Sequence, residues 1–140
     1  MAEDPACIFC KILAGEIPCH EIYRDDAVLA FLDIGPLSPG HTLVIPQAHV
    51  TTMDALSADQ AAAIGGALPR LVEAVQAATG AAGLNVLQNN GAVAGQEVNH
   101  LHVHLIPRHD GDGLGFRWKP ESYAANEAEA MRDRLRSALA

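Results

Sequence analysis

The sequence predicts an α+β domain, a five-stranded antiparallel sheet carrying one long helix and one C-terminal helix. Three observations lead there. Five short segments rich in β-branched and aliphatic residues, each bounded by turn residues, follow one another closely enough to pair as antiparallel neighbours. An apolar stripe at helical spacing (Ile64, Leu68, Leu71, Val72, Val75) lies between the third and fourth of them. A shorter stripe, Met131, Leu135 and Leu139, follows the last.

Taken in order, CIFCKIL (7–13) reads as a short helical turn, and HEIYRDDAVLAFLD (20–33) as a hairpin with Asp25 and Asp26 at its bend. After the turn GPLSPG, HTLVIP (41–46) is a third strand stopped by Pro46. Ser57 and Gln60 have capping-box spacing and open the long helix, which Gly80 stops. Pro69 inside it removes a backbone donor and crowds the preceding turn, so a kink or a split is expected there. GLNVLQN (83–89) is the fourth strand and LHVHLIP (101–107) the fifth, ended by Pro107. The segment between them, NGAVAGQEVN (90–99), is a glycine- and alanine-rich loop. Asn126 and Glu129 repeat the capping-box spacing ahead of the final helix. No repeat or linker divides residues 1–140, which form one domain.

Composition narrows the function. Hydrophobic residues make up 49% and charged residues 19%, enough apolar content for a core and no sign of disorder. No apolar run approaches the ~20 residues that span a bilayer, and MAEDPACIFCK has no signal-peptide pattern, so a cytoplasmic protein with no membrane partner is expected. A net charge of −8 argues against nucleic acid as a partner, because that binding neutralises many phosphates with Lys and Arg. A single small phosphate ester needs only a few local donors and stays allowed.

Three of the seven histidines, His100, His102 and His104, alternate within NHLHVHLIPR. At seven in 140 residues, three such positions arise by chance about once in 8000 starts, or roughly one chain in sixty. On a strand the three share one face, with Leu101, Val103 and Leu105 toward the core, so the histidine face is expected to meet water, ligand or metal. Protonated imidazoles so close repel, which lowers their pKa values and keeps at least one neutral as a nucleophile, base or ligand. The alternative is a solvated strand face that happens to be rich in histidine. Cys7 and Cys10 form a C-x-x-C, in a reducing compartment a metal clip or a redox pair. Its place at the N-terminus, away from any βαβ unit, favours metal; zinc would need two histidines besides. Without metal the pair is two partly buried thiols, and Cys19 is an ordinary one.

HLHVHLI resembles the signature of the histidine triad (HIT) family, in which three histidines alternate with apolar residues. FLDIGPLSPGHTLVIPQAHV resembles the family's other landmark, an Asp followed by a histidine leading a strand into Ile-Pro and a second histidine. NVLQNNGAVAGQEVNH resembles the loop before the triad, and the likeness covers most of the chain. The resemblance implies a HIT-like fold whose sheet extends across a homodimer. It also implies a nucleotidyl hydrolase that cleaves a purine nucleoside phosphoramidate or a dinucleoside polyphosphate through a nucleotidyl-histidine intermediate. Carried onto this chain, the nucleophile is His102, and His104 and His41 hold the phosphate oxygens together with backbone N–H groups around Gly95 and Gln96. Asn89 matches a position on the phosphate or ribose side and Asp33 the ribose-hydroxyl acceptor, the alternative for Asp33 being a turn residue before Gly35.

Phe9, Ile12, Ile17, Phe31, Ile34 and Leu43 match the wall of a base pocket taking a purine of AMP or GMP type, with core packing as the alternative for each. Zinc-binding members of the resemblance imply a structural zinc between Cys7, Cys10, His49 and His100, leaving His20 and His109 on the surface. Glu97 departs from the pattern, standing where other branches carry a Ser or Thr hydroxyl, and a carboxylate there opposes a phosphate. Arg117, Trp118 and Lys119 in GFRWKPESY either reach across a dimer toward the leaving group or cover the sheet. Three other readings compete: a nucleotidyltransferase, a nucleotide-binding or scaffolding dimer with little catalysis, and a metalloenzyme whose triad itself binds zinc.

Overall fold

In the computed structural model, which describes residues 4–115 and 118–140, one antiparallel sheet of five strands organises the chain. Helix α1 (Ile8–Leu13) precedes the hairpin β1 (Glu21–Arg24) and β2 (Val28–Leu32). Strand β3 (Thr42–Pro46) leads to α2 (Ala58–Thr79), followed by β4 (Gly83–Gln88), β5 (Val103–Arg108) and α3 (Glu127–Leu139). Spatial order is β1-β2-β3-β5-β4, so β5 is inserted between β3 and β4.

Each face of the sheet has its own cluster. Val28, Ala30, Val44, Leu101, Val103 and Leu105 meet Ile64, Ala67, Leu71 and Val75 of α2. Leu29, Phe31, Leu43 and Ile45, one residue out of phase on the same strands, meet Cys7, Phe9, Cys10 and Ile12 around α1. Sheet alternation thus gives the residues of the inner strands β2 and β3 one of two covers.

The Ser57–Gln60 capping box forms in both directions, and Gly80 ends α2 with φ 66°. The helix runs unbroken through Pro69. The carbonyl its ring crowds belongs to Gly65, and Gly65 and Gly66 are exposed with open space around them, so the backbone there can tilt toward water.

Four expectations are corrected. Strand β5 starts at Val103, so His100 and His102 precede the ladder. The reason is local: Pro46 offers its carbonyl to the His100 ring, and the Leu101 N–H goes to Val50 O at 2.6 Å instead of to β3. Pro107 does not end β5, because pairing with β3 stops at Leu105 and beyond it only β4 is bonded, through Leu84 and Gly83. Asn126 makes no side-chain cap, taking a left-handed φ of 66° instead. The stripe of α3 covers no core: none of the helix is buried, and Leu135 and Leu139 are exposed. The histidine face lies under the α1 layer, with His100 and His102 buried. The ring of His100 meets Cys7, Cys10 and His49 there, in keeping with a face turned to a ligand or metal. Among the described residues no helix is long and apolar enough to cross a membrane.

Candidate functional site

Two clusters of side chains meet along the triad segment, and His100 joins them, its ring in the first and its backbone carbonyl against His102 of the second. Its Nε2 lies 2.9 Å from Pro46 O. A carbonyl only accepts, so Nε2 carries the proton and Nδ1 presents a lone pair. That lone pair faces Cys7 Sγ at 3.5 Å, Cys10 Sγ at 3.7 Å and His49 Nδ1 at 3.2 Å. His49 Nδ1 is also 3.3 Å from Cys10 Sγ.

These four ligand atoms lie within 4.8 Å of one another. A zinc ion with bonds of about 2.3 Å to sulfur and 2.0 to 2.1 Å to nitrogen would hold its tetrahedral ligands about 3.4 to 3.8 Å apart. The donors fit that ion, and two thiols with two imidazoles are its chemistry. All four predicted ligands converge, and α1 supplies both sulfurs because C-x-x-C spans one helical turn starting at its N-cap, Cys7. Asp4, which the sequence did not single out, places Oδ2 3.9 Å from His49 Nε2. Cys19 is not part of the cluster.

The second cluster holds His102, His104, His41 and Asp33. His102 Nδ1 is 2.7 Å from His100 O, so Nδ1 is the protonated nitrogen and the lone pair sits on Nε2. Phe9 stands edge-on to this ring with the centroids 5.2 Å apart, and the His104 ring centroid lies 4.9 Å away. No fully buried side-chain nitrogen or oxygen among the described residues lacks a partner, and Nε2 has none, so it opens to the surface.

His41 is set by the turn before β3. Gly40 has φ 94°, and a Cβ on it would run into the Thr79 side chain, so only glycine lets this turn lie flush against the end of α2. His41 Nδ1 accepts from Leu37 N–H at 3.0 Å, a partner with no signal in the sequence. The His41 proton is therefore on Nε2, which donates to His104 Nδ1 at 2.9 Å. By the same logic His104 keeps its own proton on Nε2, as a donor toward the outside. Burial is the main cause that pushes His104 down to about 4, with the His102 and His41 charges adding and Asp33 opposing. Burial likewise lowers His41 against the pull of Asp33. Of the triad histidines expected to be lowered, His104 and His100 are, with desolvation ahead of mutual repulsion as the cause.

Asp33 Oδ1 accepts from Gly35 N–H at 2.8 Å, and Oδ2 lies 3.6 Å from His41 Nε2. It is a turn residue and a neighbour of the histidines at once. Phe9, Ile12, Phe31 and Leu43 are buried together, Ile17 borders them, and Ile34 stands apart at 90% exposure. Asn89 approaches Gly95 so closely that a Cβ there, at φ 105°, would sit 3.4 Å from its Nδ2.

Two donors expected on this loop are already engaged. Gly95 N–H bonds Ala92 O at 3.0 Å and Gln96 N–H bonds Gly91 O at 3.1 Å, because residues 92–94 close into a 3₁₀ turn. Glu97, His20 and His109 are exposed. Trp118 and Lys119 are exposed too, while Arg117 lies outside the described residues.

The HIT domain profile matches residues 14–111. The adenosine 5'-monophosphoramidase hnt1 of Schizosaccharomyces pombe is 44% identical over 135 residues, 96% of this chain and 98% of that protein. A crystal structure of a HIT family member from Bacillus subtilis matches with a TM-score of 0.92 at 41% identity, covering 96% of this chain and 98% of the other. A zinc-bound histidine triad protein from Mycobacterium smegmatis matches with a TM-score of 0.74 at 36% identity, covering 95% and 97%. With a profile that spans most of its length and a relative aligned nearly end to end, the chain belongs to the HIT family.

Proposed function

We propose that the protein is a nucleotide hydrolase that cleaves a purine nucleoside phosphoramidate, or a dinucleoside polyphosphate, through a nucleotidyl-His102 intermediate. One observation carries the reading: Nδ1 of His102 is tied to the His100 carbonyl, which leaves the Nε2 lone pair free beside the Nε2–H of His104. The S. pombe relative, named as an adenosine 5'-monophosphoramidase, supports the substrate class.

In the first step His102 Nε2 bonds to the α-phosphorus, and the bond to the leaving group breaks with its electron pair. An amine leaving group takes a proton from solvent. His104 Nε2–H donates to a nonbridging oxygen, and His41 fixes that orientation by donating to His104 Nδ1. Water then attacks phosphorus, releases the mononucleotide and restores the neutral ring. Asp33 Oδ2 accepts from a ribose hydroxyl, and the Phe9, Phe31 and Leu43 layer borders the base.

Zinc held by Cys7, Cys10, His49 and His100 would tie α1 to the triad segment as a closed structural site. The unit is a homodimer joined along β4, whose six-residue outer edge carries exposed Val86, whereas β1 has four residues and an irregular register.

A second reading has its own observation, because Asp33, His41 and His104 also bring ligand atoms within 4.8 Å of one another. The His41 to His104 hydrogen bond accounts for that approach without an ion. Incubation with adenosine phosphoramidate, followed by mass mapping, should place a nucleotidyl adduct on His102, and His102→Ala should lose at least about a thousandfold in turnover. Turnover by His102→Ala at the parent rate would overturn the reading. Loss of bound zinc in His41→Ala and His104→Ala would favour the metal alternative.

A further inference from the structure

We propose that Gln96 is a positioning residue whose carboxamide clamps the loop ahead of the triad onto the loop carrying His49, and so sets the attack geometry of His102. The proposal rests on the nucleotidyl-His102 reading for its catalytic readout. Gln96 is 5% exposed, unusual for a long polar side chain in a surface loop. Its Oε1 accepts from Gly91 N–H at 2.8 Å, and its Nε2 donates to Thr51 O at 2.8 Å and Val98 O at 3.1 Å. One side chain thus closes both ends of residues 91–98 and anchors them to a third point. With its amide oxygen and nitrogen so engaged, the side chain is part of the scaffold and no free group for substrate.

The anchor point matters. Thr51 is two residues beyond His49, and the stretch 46–51 is laced to 96–101 at three levels, Pro46 O to His100 Nε2, Val50 O to Leu101 N–H and Thr51 O to Gln96 Nε2. Gln96 supplies the last of these, and it is the one that reaches the loop bearing Gly95 and Glu97. Asn90 reinforces the same junction by accepting from Met53 N–H at 2.9 Å and Gln88 Nε2 at 2.8 Å. With Gly95 and Gln96 N–H groups engaged inside the loop, the N–H groups of Glu97, Val98 and Asn99 have no partner among the described residues. Those three lead directly into His100, whose carbonyl holds His102 Nδ1. A shift of the clamped loop therefore moves the donors and the nucleophile together, and a displacement on the order of 1 Å costs about a hundredfold in rate.

The test uses zinc-loaded protein, with adenosine phosphoramidate as reactant and AMP as binding probe. Gln96→Glu keeps the acceptor for Gly91 but sets a carboxylate against two carbonyls, and Gln96→Met removes all three bonds at similar size. The expected result for both is adduct formation at His102 slowed by about thirtyfold or more, with AMP affinity within about threefold and zinc content and folded fraction as in the parent. Adduct formation per folded site within twofold of the parent, or a loss that only tracks unfolding, would overturn the proposal. Amide exchange on the parent judges the clamp without any variant: Gly91 N–H should be protected, and exchange at the free-loop rate there sinks the idea. A parent that forms no adduct would count against the reaction assigned to His102, and the clamp would still stand or fall on Gly91.

Discussion

His104 shows how one residue's surroundings set both its chemistry and its cost. Leu37 N–H fixes the proton of His41, and His41 in turn fixes that of His104, so a backbone amide four residues upstream of His41 decides which nitrogen of His104 is left as an outward donor. Burial holds His104 near 4, against 6.5 for a free imidazole. Between these values the unfolded chain takes up a proton that the folded chain refuses, so stability falls as pH drops from about 6.5 to about 4 and is independent of this group above that window. His41, also lowered by burial, acts in the same direction. The thermal midpoint of the parent should therefore decline through that range, and His104→Asn, which cannot titrate, should show a shallower decline. Identical slopes for the two proteins would remove His104 as the source.

Among the elements, the turn before β3 is the most constrained. Gly40→Ala meets two penalties, a positive φ of 94° and a clash with the Thr79 methyl. The backbone penalty alone is about 1 to 3 kcal/mol. Replacing Thr79 by Ser removes the methyl but keeps the hydroxyl that bonds Val75 O at 2.7 Å. Gly40→Ala should thus lower the thermal midpoint by roughly 5 to 12 °C in the parent, and by distinctly less in a Thr79→Ser background. Equal losses in both would mean that Thr79 is not the obstacle. The same scale shows what the sequence could express. The α2 cap, its Gly80 stop and the five strands are legible because each depends on residues within a few positions of one another. The extent of β5 is not, since Pro107 is tolerated only because β3 has already ended beside it. Cys7, Cys10, His49 and His100 are legible as a set through the family likeness, although nothing in their spacing says that α1 folds over the histidine face. Leu37 N–H, Pro46 O and the Gln96 bonds could not be read at all, because backbone partners leave no trace in residue type.

For the whole molecule the question is what holds the N-terminal layer down. Helix α1 is only six residues long, too short to be stable alone, and its apolar contribution is mainly Phe9 and Ile12 against the β2 and β3 face. The four candidate ligands come from that helix, the 46–51 stretch and the triad segment, so a zinc ion held there would close two long-range loops at one point. Removing it leaves Nδ1 of His49 and Nδ1 of His100 3.2 Å apart with no ion to hold them and the two sulfurs together. Helix α3 has no buried residue and no place in either cluster, so it serves as an internal control. Chelation at pH 7.5 should lower the thermal midpoint by roughly 10 to 20 °C, given several kcal/mol for a structural zinc. It should also raise amide exchange around Cys10, Val50 and Leu101 by at least tenfold, while exchange in α3 and in the α2 core around Leu71 stays within about twofold. Uniform loosening, α3 included, would mean that the ion stabilises the molecule as one unit. No change at Leu101 would disconnect the candidate metal site from the segment that leads into His102.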